Sequence, residues 1–150
     1  DPVSRRELWE LLYEFVAASM AVLITTPYMD EAEKCHRVGL IHQGRLLAED
    51  KPQTLIDGFN ETVLLIHPHN RDAFEEKLEN RKEVLGITPH GQSLKVVCRK
   101  ADLEKFQKWV TEQKTTKLPE RVAPNFEDVF LTRIATARTA EKPEKENDRK

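Results

Sequence analysis

The sequence predicts two mixed units of helix and strand in tandem, an α/β unit over residues 1–58 and an α+β unit over 60–136. Three observations carry this reading. Residues 21–25, AVLIT, form an unbroken apolar run behind an amphipathic helix, which is the pattern of a buried strand in a parallel sheet. Between 61 and 122 the elements follow as β-α-β-β-α-β, the order of a ferredoxin-like split βαβ unit. Gly58 lies between the two patterns and suits the end of a short helix.

Each element has a local reason. Asp1-Pro2 puts a capping residue before a proline suited to the first helical turn. Leu8, Leu11, Leu12, Phe15 and Val16 then fall on one helix face. Asp30 and Glu33 have capping-box spacing, so DEAEKC should be a short helix opened by Asp30. The runs 38–42 and 45–49 flank Gln43-Gly44, where glycine supplies the positive φ of a tight hairpin. Residues 52–58 read as another short helix.

In the second unit, 61–68 is a strand and 70–80 a helix capped by Asn70. Strands at 83–89 and 93–99 flank His90-Gly91, and 101–113 is a helix with Leu103, Phe106 and Val110 on one side. Residues 117–122 read as a weak edge strand because Pro119 cannot donate to a ladder. A last helix begins at Asn125 and carries Phe126, Val129, Phe130 and Ile134 on one face. Residues 137–150 hold nine charged residues without an apolar period and are expected to be a disordered tail.

Composition narrows the function classes. Hydrophobic residues make up 39% and charged residues 33% of the 150, with a net charge of −2. The chain as a whole therefore offers no electrostatic case for binding nucleic acid. Its apolar runs are too short to cross a bilayer. Cys35 and Cys98 form neither a CxxC pair nor a disulfide framework, which suits a reducing cytosol. The sequence opens on DPVSRRELWELL without an initiator Met, so it is expected to be part of a longer protein.

Residues 1–58 resemble the C-terminal end of an ABC transporter ATP-binding subunit, through DPVSRRELW, VLITTPYMDEAEKCHRVGLIHQGRLLAED and KPQTLI. The likeness is greatest to drug-export subunits of the ABC-2 type, which often carry an appended domain ending in a phrase like PNFEDVFL, here 124–131. The resemblance implies the C-terminal part of a P-loop NTPase nucleotide-binding domain at 1–58, then an accessory domain. It implies ATP and Mg²⁺ in the parent, a second ATP-binding subunit or domain, and an ABC-2 type membrane permease. It also implies a cytoplasmic location against that permease. The parent would couple ATP hydrolysis to export of drugs, lipids or other amphiphiles. A GxxxxGK[ST] phosphate loop, a signature loop and a Walker B carboxylate are not in these residues, so the chain by itself is expected to be inactive. The alternative is a stand-alone ferredoxin-like binding or regulatory module.

Two site positions follow from the resemblance. Asp1 fits the D-loop, an acidic residue before a proline and a helix, where it would meet the opposite subunit; it also fits a plain N-cap, and both can hold. Pro27 stands where family members usually carry a histidine that bonds the γ-phosphate. Proline has no side-chain donor and no N–H, so that role does not carry over. Either Pro27 only forms the turn, or the nucleotide site is slow.

Other candidates read as structural. His67 and His69 lack a third metal ligand nearby in sequence. Cys35 and His36 are neighbours that cannot face each other on a helix. Asp30, Glu31 and Glu33 suit a solvated helix start, and Trp9 and Trp109 suit packing. Lys95, Arg99, Lys100, Lys105 and Lys108 are interleaved with acids, without the paired aromatics that stack bases. Leu8, Leu11, Leu12 and Phe15 would each forfeit about 1.5–3 kcal/mol if left wet, so residues 1–58 are expected to be poorly folded or associated in isolation, while 60–136 stays ordered.

Overall fold

A computed structural model describes residues 2–113 and 115–140. Helix α1 (Pro2–Ala17) leads through an irregular segment to α2 (Met29–Ala32). The hairpin β1 (Val38–His42) and β2 (Arg45–Asp50) follows, then α3 (Pro52–Asp57). The hairpin turn is as the sequence requires: Gln43 and Gly44 have φ of 49° and 75°, the two positive values of a type I′ turn.

Four strands build the larger sheet: β3 (Thr62–Ile66), β4 (Val84–His90), β5 (Ser93–Cys98) and β6 (Glu120–Arg121). Their order is β4-β5-β3-β6, and every pairing is antiparallel. Helices α4 (Arg71–Glu79) and α5 (Leu103–Glu112) cover one face. There Leu64, Ile66, Leu94, Val96 and Cys98 pack against Phe74, Leu78, Phe106 and Val110. Strand alternation turns Lys95 to the opposite face. The Asn70 cap forms as expected, its side-chain oxygen accepting from Ala73 N–H at 3.0 Å.

Helix α6 (Phe126–Ala140) lies between the two sheets. Phe126 and Val129 join Val38 and Leu40 of the hairpin in a second core, flanked by Met29, Ala32, Leu55 and Phe130. Its other side meets the larger sheet. A Cβ at Gly86 would come within 2.8 Å of Leu131 Cβ, so only glycine admits the helix this close.

The first turn of α6 is fixed by a reciprocal pair of hydrogen bonds. Asn125 Oδ1 accepts from Asp128 N–H at 3.1 Å, and Asp128 Oδ2 accepts from Asn125 N–H at 2.7 Å. This is a capping box built from Asn and Asp. Lys95 Nζ donates to the same Asp128 oxygen at 2.6 Å, and the Asp128 side chain is 2% exposed.

Several expectations change. Residues 21–25 form no strand, and among the described residues the parallel sheet expected around them is absent. A strand needs a neighbour for its backbone groups; β1 pairs with β2, and among the described residues nothing pairs with 21–25, where Leu23 is 97% exposed. The apolar face of α1 is likewise largely uncovered: Leu8, Leu11, Phe15 and Val16 are exposed, and among the described residues of that helix Trp9 alone is buried. Asp30 does not cap α2; Tyr28 holds the N-cap position without a side-chain bond. The edge strand shortens to two residues after Pro119. Helix α6 runs to Ala140, past the expected end at 136, because alanines at 135, 137 and 140 favour helix. The rest of the expected tail, 141–150, lies outside the described residues.

Replacing Asp128 with Ala leaves Lys95 without its anion and Asn125 N–H without an acceptor. Breaking a buried pair from one side costs about 3–5 kcal/mol. The midpoint of urea unfolding should fall accordingly, and the double variant K95M/D128N should recover part of the loss.

Candidate functional site

The segment between α1 and α2 is irregular, yet its last residues are tied by side-chain hydrogen bonds. Thr26 Oγ1 accepts from Tyr28 N–H at 3.1 Å and donates to Glu31 Oε2. Arg5 of α1 donates to Glu31 Oε1 through Nε at 2.9 Å and Nη2 at 2.7 Å. The same guanidinium lies 3.5 Å from Asp30 and 4.7 Å from the centre of the Tyr28 ring. Pro27, exposed at the apex, adds a fixed φ and no donor. The turn is therefore shaped by proline and latched to α1 by one arginine.

The electrostatics agree with this geometry. The Thr26 hydroxyl, then Arg5, hold the Glu31 carboxyl below its ordinary value of 4.5. Glu31 in turn raises the pKa of Arg5. Beside the latch, Arg5, Arg6, Trp9, Tyr13 and Lys34 line a shallow cleft of about 400 Å³. Its cations are committed: Arg6 pairs with Glu10 at 3.1 Å, and Lys34 Nζ sits 5.0 Å from the Trp9 ring centre.

The end of α2 is also anchored. Glu33 Oε1 accepts from Phe126 N–H at 3.2 Å, across 93 positions of sequence. Glu33 thus takes one of the unpaired donors in the first turn of α6.

Of the two positions singled out from sequence, Pro27 sits in this turn, while Asp1 lies outside the described residues. Of the other candidates Asp30 and Glu31 join it through Arg5, while the histidines, the cysteines and Trp109 do not. His67 Nδ1 is 2.7 Å from Ser93 Oγ, and His69 is exposed. No group of three or more His, Cys, Asp or Glu comes together to hold a metal among the described residues. Burial raises the Cys35 thiol and pushes Cys98 up to about 12, so both are poor nucleophiles near neutral pH. Trp109 packs on Phe74 and Phe106, with Arg81 4.1 Å from its ring centre.

Sequence reasoning missed Arg5 and treated Glu31 and Glu33 as solvated charges. A usable signal existed for neither latch in local spacing, since Arg5 and Glu31 are 26 positions apart. Lys95, read from sequence as one of a cluster of cations interleaved with acids, instead pairs with Asp128.

No family model matches the chain. Curated relatives match across both sheets. The chain is 31% identical over 146 residues to the probable multidrug ABC transporter ATP-binding protein YbhF of Escherichia coli (strain K12), covering 95% of the chain and 25% of YbhF. It is 35% identical over 133 residues to the Nod factor export ATP-binding protein I of Neorhizobium galegae, covering 87% of the chain and 37% of that protein. The protein of that name from Burkholderia thailandensis is 32% identical over 136 residues, with 87% and 42% covered. The chain belongs with the ABC transporter ATP-binding proteins. It spans between a quarter and about two fifths of the length of these relatives. Among the described residues, no helix of this ABC chain is long and apolar enough to cross a membrane.

Because the Glu31 pKa is lowered by folding, the latch contributes fully above the ordinary carboxylate value and is lost as pH falls through the lowered one. The Tyr28 amide resonance, followed from pH 6 downward, should therefore move with a midpoint below 4.5. Arg5→Ala should raise that midpoint; an unmoved midpoint would show that Arg5 does not hold Glu31.

Proposed function

We propose that the chain is part of the energy-coupling subunit of an ABC exporter, with the C-terminal part of the ATP-binding domain at 1–58 and an accessory domain at 60–136. The observation that carries this is the continuous match to ATP-binding proteins of export systems, which runs through both units in one alignment. The strand order β4-β5-β3-β6, with α4 and α5 on one face, supports a ferredoxin-like accessory domain.

The whole protein would bind ATP with Mg²⁺, pair with a second ATP-binding subunit or domain, and drive an ABC-2 type permease. It would sit on the cytoplasmic side of the membrane through that permease, exporting drugs, lipids or other amphiphiles. In this reading Asp1 belongs to the D-loop and contacts the opposite subunit. Pro27 occupies the place of a phosphate-bonding histidine, and the Thr26–Glu31–Arg5 latch holds the turn in its absence.

Isothermal titration of Mg-ATP into the 150-residue chain should show no micromolar binding, since the sequence contains no GxxxxGK[ST] loop. Micromolar affinity would overturn the reading. In the full-length protein, a lost hydrogen bond to charged phosphate is worth about 1.5–3 kcal/mol, and each 1.36 kcal/mol is about tenfold in rate. Pro27→His should therefore raise kcat about ten- to a hundredfold with KM little changed. Pro27→Ala is the control that frees the backbone without adding a donor. Equal kcat for the His, Ala and parent forms would make Pro27 a turn former only.

A further inference from the structure

Helix α2 has four residues, Met29–Ala32, too few to hold a helical conformation unaided. Its placement is therefore set by what grips it. Arg5 grips Glu31 from α1, Met29 and Ala32 rest on the core around Phe126, and Glu33 takes the Phe126 N–H. Two of these three holds lead to α6. Helix α6 is in turn locked to the larger sheet through Asp128 and Lys95 and through the Gly86–Leu131 approach.

We propose that Glu33 is a positioning residue that couples the Pro27 turn to the C-terminal sheet through the first turn of α6. The path runs through three hydrogen bonds and one residue of backbone: Lys95 Nζ to Asp128 at 2.6 Å, Asn125 N–H to Asp128 at 2.7 Å, then along the chain to Phe126, whose N–H donates to Glu33 at 3.2 Å. Asn125 and Phe126 are consecutive residues, so the last two bonds are made by adjacent peptide units joined at the Asn125 Cα. A carboxylate at a helix N-terminus is favoured by the helix dipole as well as by the bond itself. Displacing α6 from the sheet moves Glu33, and Glu33 moves the short helix that follows the turn. The C-terminal unit thereby sets the shape of the segment that, under the proposed function, faces nucleotide; the catalytic half of this inference rests on that reading.

Hydrogen exchange of the 150-residue chain tests the coupling without reference to ATP. Glu33→Ala should speed exchange of the amides at 26–33 about threefold to tenfold, as expected for losing a charge-assisted bond that is partly open to solvent. Amides of β3 and β5 should be unaffected, which separates loss of coupling from general unfolding. Glu33→Gln keeps an acceptor oxygen and should return most of the protection. Unchanged exchange at 26–33 in Glu33→Ala overturns the proposal. In the full-length protein, Glu33→Ala should lower ATPase kcat about threefold to tenfold with KM for ATP within about twofold, again with rescue by Gln. A parent without ATPase activity would defeat the functional reading and leave the exchange result standing. An active parent whose kcat is indifferent to Glu33→Ala overturns the coupling to catalysis.

Discussion

The contact between Lys95 and Asp128 carries more of this structure than its size suggests. After Ser93 strand β5 is otherwise apolar along LKVVC, and one cation on its second face would be costly to bury alone. Asp128 answers it, and the same carboxylate closes the capping box of α6. One buried oxygen therefore decides where α6 begins and which face of the sheet it crosses. The Phe126–Val129 core with the hairpin depends on that placement, because both residues lie within a turn of the anchor. Two separate cores are joined by one helix, pinned to the larger sheet through Asp128 and to the end of α2 through the Phe126 N–H.

What could be read from the sequence was local. Gln43-Gly44 announces a tight hairpin because few residue pairs accept two positive φ values. Asn70 and Asn125 announce helix starts because a side-chain oxygen three residues ahead of an N–H is a short-range arrangement. What could not be read was pairing over distance. AVLIT has the composition of a strand, but composition supplies no neighbour, and the segment stays irregular with Leu23 bare. The periodicity of α1 marks an apolar face without saying what, if anything, covers it; among its described residues only Trp9 is buried. The same limit applies to the turn. Pro27 could be found from resemblance, whereas Arg5 and Glu33 become meaningful only when α1 and α6 are brought to either end of α2.

The Pro27 turn is consequently an unusual kind of loop. Loops commonly owe their shape to glycine or to water, and vary for that reason. This one is held by a hydroxyl, a carboxylate and a guanidinium, with a proline removing one backbone freedom. Such a segment has a defined shape of its own, set by its side chains.

The close approach at Gly86 has a consequence for how this protein can vary over generations. Position 86 lies in a strand where β-branched residues would ordinarily be welcome, yet even a methyl group there collides with Leu131. Drift at 86 is therefore closed unless α6 retreats, and a retreat would strain the pin at Asp128 and loosen the grip of Phe126 on Glu33. A substitution at a site with no polar chemistry of its own would then be felt some 60 positions earlier in the chain. Selection acting on the turn would appear, in sequence, as intolerance at a distant glycine.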